Sequence, residues 1–262
     1  MIENVVFEGE TISKAAAVAK ITDALIYELI LRARRDDGIR DYFDIAILGY
    51  ADERVYPLID PNRIFIPVSE LYNLKSDSRE VIVRRTLPDG TTREHREVRH
   101  SWIEPCAKGS TPMYEAFLTI RDLVRDWCAK PQNATSFPPV IFNITDGMYS
   151  DCNGAELRAI AEQIESLHTS DGDALLINIH MATGEQRDSV IFPTDAEIDA
   201  DNYHMRFVAD CSSVMPTPFN SLIRSQRGNH LVPPFKAMSF NASLTELIAM
   251  LNIGSRSITN LI

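Results

Sequence analysis

The stretch Pro139-Val140-Ile141-Phe142-Asn143-Ile144-Thr145-Asp146-Gly147 constrains this chain more than any other. A short, nearly continuous apolar run, rich in β-branched residues and closed by an Asp-Gly turn signal, is the pattern of a parallel strand covered on both faces by helices. In open α/β sheets ligands collect beyond the carboxyl ends of such strands, so Asp146 stands where a site is expected. A second loop points to the same edge. Gly109-Ser110-Thr111-Pro112 opens a long amphipathic segment, with Thr111 beside the helix start and Pro112 suited to the first turn. A hydroxyl and a carboxylate are hard oxygen ligands of the kind that suit Mg2+, Ca2+ or Mn2+. Each residue also has a plainer reading, Asp146 as a turn former and Thr111 as a helix cap.

The rest of the chain supplies the rhythm of an α/β sheet. Apolar residues Val18, Ile21, Leu25, Leu29 and Ile30 recur at helical spacing and predict a helix over 13–36, with Lys14, Lys20, Asp23, Glu28, Arg32 and Arg35 at other positions. A strand over 42–50 follows, ending near Gly49. Residues 51–100 carry four prolines and no long helical pattern. They read as an insertion on the sheet edge, a hairpin of 81–86 and 93–99 around Pro88-Asp89-Gly90-Thr91. Its Arg84, Arg85, Arg93, Arg96 and Arg99 read as a solvated face, or as a phosphate-binding patch.

Helices are predicted over 113–129, where Phe117, Ile120, Leu123, Val124 and Trp127 face inward, and over 153–167, 203–209 and 219–227. A buried strand is expected at 174–180, a short apolar stretch lies at 190–193, and an edge strand at 238–241 and a last helix capped by Ser243 are expected to follow. His180 ends its strand, either near the cleft or as a capped terminus, the second being preferred. The expected architecture is one doubly wound α/β domain over 1–262, its mostly parallel sheet flanked by helices on both faces, plus the hairpin insertion.

A chain of 262 residues that is 45% apolar buries a sizeable core. Its net charge of -11 and pI near 5.0 argue against sequence-independent binding to nucleic acid or an anionic membrane. Cys106, Cys128, Cys152 and Cys211 form no CxxC pair, which suggests free thiols and a cytoplasmic setting. GxSxG, GxxxxGK[ST], GxGxxG after a strand and HExxH are all absent.

The combination Gly109-Ser110-Thr111-Pro112-Met113 and Pro138-Pro139-Val140-Ile141-Phe142-Asn143-Ile144-Thr145-Asp146-Gly147 resembles the bacterial von Willebrand factor A (vWA) domain proteins. Ser13-Lys14-Ala15, Asp41-Tyr42-Phe43, Gly49-Tyr50 and Asn252-Ile253-Gly254-Ser255-Arg256 extend the resemblance over nearly the whole chain. It implies a metal-ion-dependent adhesion site (MIDAS), with Thr111 and Asp146 at two metal-coordinating positions. Gly109, Ser110, Gly147 and Asp151 are the near-site, partner-facing candidates. The implied function is protein–protein recognition without catalysis. A Mg2+ ion (or Mn2+ or Ca2+) bridges to an acidic side chain of another protein. The alternative is a Mg2+-dependent phosphoester or ester hydrolase in the same cleft, with His180 as acid or base.

The departure from the family is the missing first strand and its DxSxS motif. Two readings follow: the chain begins just after that motif, Met1 being the methionine that follows it in many members, or residues 2–7 are a degenerate first strand with Glu8 or Glu10 as the acid. The first is preferred, because a normal strand needs more residues before Ser13. It leaves Thr111 and Asp146 without three partners, so the metal binds weakly. It also leaves an unpaired sheet edge through which the chain is expected to self-associate.

Overall fold

The computed structural model describes residues 2–7, 10–86, 92–147, 149–181, 189–242, 246, 248–250 and 253. The turn at Pro88-Asp89-Gly90-Thr91, Glu8, Ser243, Asn252, Gly254, Ser255 and Arg256 lie outside the described residues. Two compact units emerge, one formed by Ile2–Gly49 and Tyr56–Ala107, the other by Tyr50–Val55 and the chain from Lys108 onward.

In the first unit, β1 (Asn4–Phe7) and β2 (Glu10–Ser13) pair antiparallel, and α1 (Lys14–Ala33) follows directly. Ser13 caps α1, its Oγ accepting from Ala16 N at 3.2 Å. Ala19, Ile26, Ile30 and Ala33 meet Ile66, Val68, Leu71, Trp102 and Ile103 in one core. Each fully buried isoleucine there contributes roughly 1.5–3 kcal/mol. Val18, Leu25 and Leu29, expected in that core, are only half-buried. Lys14 and Asp23, expected outside, are buried, because each finds a polar partner distant in sequence. Lys14 Nζ pairs with Glu3 Oε2 at 2.8 Å, while Asp23 Oδ1 accepts from Trp102 N (2.9 Å) and Ile103 N (3.2 Å).

The expected strand over 42–50 is broken. Its first part, β3 (Asp44–Ile45), pairs antiparallel with β4 (Ile66–Pro67), while Leu48–Ala51 pairs separately as a hairpin with Arg54–Pro57. Pro57 and Pro67 lack the N–H a longer ladder needs. After the single-turn α2 (Val68–Leu71) comes the expected hairpin, longer than predicted. Its strands β5 (Asp77–Thr86) and β6 (Thr92–Ser101) run in register from Thr86↔Thr92 to Asp77↔Ser101. Arg96 on it is exposed, as a solvated face requires.

The second unit holds the main sheet. The sequence-predicted elements appear as α3 (Met113–Cys128), β7 (Val140–Thr145), α4 (Gly154–Glu165), β8 (Leu175–Met181), α5 (Tyr203–Asp210), α6 (Asn220–Arg227) and β10 (Met238–Ala242), and the apolar stretch at 190–193 supplies a further short strand, β9 (Val190–Ile191). Strand order is β7-β8-β10-β9; β7, β8 and β10 are parallel and β9 is antiparallel. The fold is therefore mixed α/β with a mostly parallel four-stranded sheet. β10, expected at the edge, is inside, and among the described residues β1 pairs only with β2 rather than joining this sheet. β8 is buried along its whole length, whereas four of the six residues of β7 are half-buried, since among the described residues no strand flanks its outer side. Met113, Phe117, Leu157, Ile160, Ala161 and Ile164 from α3 and α4 pack with Leu176 and Phe207. Side chains alternate along a strand, so Asn143 and Thr145 of β7 share the face of Ile141, which packs against this cluster.

Candidate functional site

The carboxyl end of β7 is closed by its own side chain. Thr145 Oγ1 accepts from Gly147 N at 3.2 Å and bends the chain at Asp146, as a threonine in a turn does. The loop before α3 comes to the same place. A Cβ added to Gly147 would stand 4.0 Å from Thr111 Oγ1, ordinary contact distance. Thr111 N donates to Ser150 Oγ (2.9 Å) and Ser150 N donates to Thr111 O (3.0 Å), clasping the two loops.

Thr111 does not cap α3. Pro112 occupies the cap position, and the exposed amides of Tyr114 and Glu115 donate to Asp151 Oδ1 (3.1 Å) and Oδ2 (3.0 Å). A carboxylate at a helix amino terminus is favoured by the helix dipole. Asp151 thus fixes α3, and Ser150 fixes Thr111.

Gly109 borders this edge with φ +59, a left-handed conformation suited to glycine. A Cβ there would fall 1.5 Å from Asp52 Oδ1, so any side chain would have to displace the Asp52 carboxylate. Asp52 and Glu53 are themselves left-handed (φ 49 and 62), making the tip of their hairpin a tight turn. Ser110 is exposed.

Beneath the edge runs a hydrogen-bonded row that the sequence reading did not foresee. Tyr50 Oη donates to Asn143 Oδ1 (2.8 Å), and Asn143 Nδ2 donates to Asn178 Oδ1 (2.8 Å). Asn178 Nδ2 donates to Cys211 O (2.6 Å) and Ser212 Oγ (3.0 Å), and Ser212 Oγ donates to Val208 O (2.6 Å). Thr145 Oγ1 donates to Gly147 O (3.1 Å). Burial holds the Tyr50 phenol well above its ordinary pKa against the opposing pull of the Thr145 hydroxyl, and the Asp146 and Asp151 carboxylates push it further up. The signal was present in the sequence, a single asparagine inside each of two otherwise apolar runs.

Next to this row lies a small cleft of about 20 Å3, room for one water, lined in part by Asn143, Thr145, Gly147, Tyr149, His180 and His204. His180 is therefore a wall of the cleft rather than a capped terminus. It is 4% exposed, stacked on Phe240 (4.6 Å between ring centres) and edge-on to His204 (4.6 Å). Burial lowers the His204 pKa. Burial raises the thiols, Cys152 to about 11 and Cys211 to about 12, so both are protonated at neutral pH. Tyr149 is raised to about 12, first by its hydrogen bond with Tyr203 and then by burial.

For a hard divalent cation this edge offers the Thr111 hydroxyl and the Asp146 carboxylate. Among the described residues no group of three or more His, Cys, Asp or Glu side chains stands together in a way that could hold a metal ion. Two side-chain oxygens alone fall short of a closed cage for such an ion. Glu10, the alternative acid, pairs with Lys20 at 3.1 Å in the first unit. No protein-family profile, no curated protein and no solved structure matches the chain. Among the described residues no helix is long and apolar enough to cross a membrane.

Proposed function

We propose that this chain is a protein-binding module of the von Willebrand factor A type, with a doubly wound arrangement about the β7-β8-β10 sheet. It recognises an acidic side chain of another protein through a divalent cation at the carboxyl edge of β7. The observation that supports this reading is the meeting of two loops, Thr111 Oγ1 lying 4.0 Å from where a Cβ on Gly147, the residue after Asp146, would stand. Thr111 and Asp146 are the cation-facing residues, with Gly109, Ser110, Gly147 and Asp151 shaping the edge around them. Mg2+ or Mn2+ binds weakly, because two protein oxygens leave the other octahedral positions to water. A cation held by one carboxylate and one neutral hydroxyl retains positive charge, which attracts a carboxylate from outside. The hydrolase reading has less support, since burial keeps the Cys152 and Cys211 thiols of the neighbourhood protonated and so unready as nucleophiles.

The test is Mn2+ calorimetry together with partner capture from source-cell extract, on wild type, Thr111→Ala and Asp146→Ala, with and without EDTA. Weak saturable Mn2+ binding is expected, lost in Asp146→Ala and reduced about tenfold in Thr111→Ala, some 1.4 kcal/mol. Capture should follow the same order and be abolished by EDTA. The same partner recovered in every condition would overturn the cation bridge.

A further inference from the structure

The two loops at the carboxyl edge of β7 are joined by hydrogen bonds as well as by contact. Thr111 is held on both sides by Ser150: its N donates to Ser150 Oγ (2.9 Å), and its O accepts from Ser150 N (3.0 Å) as well as from Met113 N (2.8 Å). The next residue takes up the start of α3, Asp151 Oδ1 accepting from Tyr114 N (3.1 Å) and Oδ2 from Glu115 N (3.0 Å). Pro112 has no N–H, so every backbone donor from Thr111 to Glu115 has an acceptor, and all but that of Met113 end on Ser150 or Asp151. The gripping loop is itself fixed at both ends. Gly147 N donates to Thr145 Oγ1 (3.2 Å) where β7 stops, and Asn153 N donates to Glu156 Oε2 (2.8 Å) in the capping box that starts α4.

We infer that Ser150 and Asp151 are the positioning residues of this edge, clasping the Thr111 loop against the Thr145-Asp146-Gly147 turn so that the Thr111 hydroxyl and the Asp146 carboxylate share one edge before a ligand arrives. The inference rests on the reading of that edge as the binding site. Three features carry it. The bonds from Ser150 go to the Thr111 main chain on both sides, so they set where the residue stands and not merely how its tip points. Both Asp151 oxygens are engaged by amides at a helix amino terminus, where the dipole favours a carboxylate, which makes Asp151 a brace inside the chain rather than an acid turned to a partner. None of these bonds uses the Thr111 hydroxyl, so the clasp places that oxygen without occupying it.

A cation held by few protein oxygens binds weakly, and any loop it has to order on arrival weakens it further. An edge already clasped avoids that cost. Ser150→Ala removes the acceptor for Thr111 N and leaves the backbone bond, while Asp151→Ala frees the Tyr114 and Glu115 amides to water.

The experiment uses the full chain, as wild type, Ser150→Ala, Ser150→Thr and Asp151→Ala, with nuclear magnetic resonance read at single residues. Wild type should show a nuclear Overhauser contact between the Thr111 side chain and the Gly147 α-protons, as their closeness requires. Ser150→Ala is expected to weaken that contact and to raise the exchange rate of the Thr111 amide about fivefold to tenfold, the loss of one hydrogen bond. Ser150→Thr keeps the hydroxyl and should restore both. Asp151→Ala should speed exchange at Tyr114 and Glu115 by a similar factor and weaken the same contact, while β8 backbone amides keep their protection in every variant. Mn2+ added alone should broaden the Gly147 resonance, and both alanine variants should need about threefold to fivefold more of it than wild type or Ser150→Thr. A Thr111–Gly147 contact unaltered in both alanine variants overturns the inference. So does a weakened contact with the wild-type Mn2+ midpoint, which would leave the two residues a purely structural part. If wild type shows no Mn2+ broadening, the cation reading fails by itself, and the Thr111–Gly147 contact still decides whether Ser150 and Asp151 hold the loops together.

Discussion

Asp23 lets the packing of the first unit be read as a pH dependence. Its carboxyl is 6% exposed on the inner side of α1 and accepts from the amides of Trp102 and Ile103. Burial raises it from its ordinary 3.8 to about 6, against the opposing pull of those two amides and Ser101. A carboxyl raised in the folded state is fully compatible with folding below pH 4, where folded and unfolded chains both carry the proton. As pH climbs from about 4 to about 6 the unfolded chain ionises first, so stability falls, and above 6 it levels off. At roughly 1.4 kcal/mol per pKa unit the loss across that window is about 3 kcal/mol.

The perturbation is Asp23→Asn, which keeps an oxygen for both amide donors and removes the charge. Relative to wild type the variant should gain about 3 kcal/mol between pH 4 and pH 7, whatever its offset at pH 4. The chain has two tryptophans, so in a Trp127→Phe background denaturant unfolding followed by fluorescence reports on Trp102. Stability curves for the wild-type and Asp23→Asn proteins that run parallel from pH 4 to pH 8 would refute the reasoning. They would mean that the three donors fully compensate the burial.

Two further outcomes follow from the second unit. Glu197 is lowered to about 2, first by its hydrogen bonds with Arg227 (2.7 Å and 3.1 Å). The pair therefore contributes above pH 4.5 and is lost as pH falls through 2; Arg227→Ala should cost roughly 1 to 2 kcal/mol at pH 7 and little near pH 2, read by thermal unfolding. The apolar, uncharged β7, with no described strand on its outer side, should make the chain associate as its concentration rises in sedimentation velocity, and Phe142→Lys should reduce that association; a monomer at every concentration would refute it.

Much of the second unit was legible because local signals agreed. The run Val140–Thr145 has the apolar density of a covered strand, and Asn153 with Glu156 forms the capping box that starts α4. That the loop of Thr111 comes to the turn after β7 was readable from a helix start and a strand end. Strand order was not readable, which is why β10 was expected at the edge: pairing partners are set by contacts far apart in sequence. The same limit hid Lys14 and Asp23, whose partners lie 11 and 79 residues away. Tyr50 and the two asparagines escaped notice for a related reason. Each looks ordinary alone, and only the fold brings their amides and hydroxyl together.

The asparagines also bear on how β7 and β8 find each other. Asn143 stands directly opposite Asn178 in the parallel pair, and Ile177 and Ile179 flank Asn178 on the other face of the sheet. A slip of one residue would turn one amide to the wrong side of the sheet, and a slip of two would part the amides and set one of them against Leu176 or Ile141. Either error forfeits about 1 to 3 kcal/mol for each buried amide left without a partner. The two amides thus work as a key that fits one alignment, so that a pair of otherwise interchangeable apolar strands has a single way to dock.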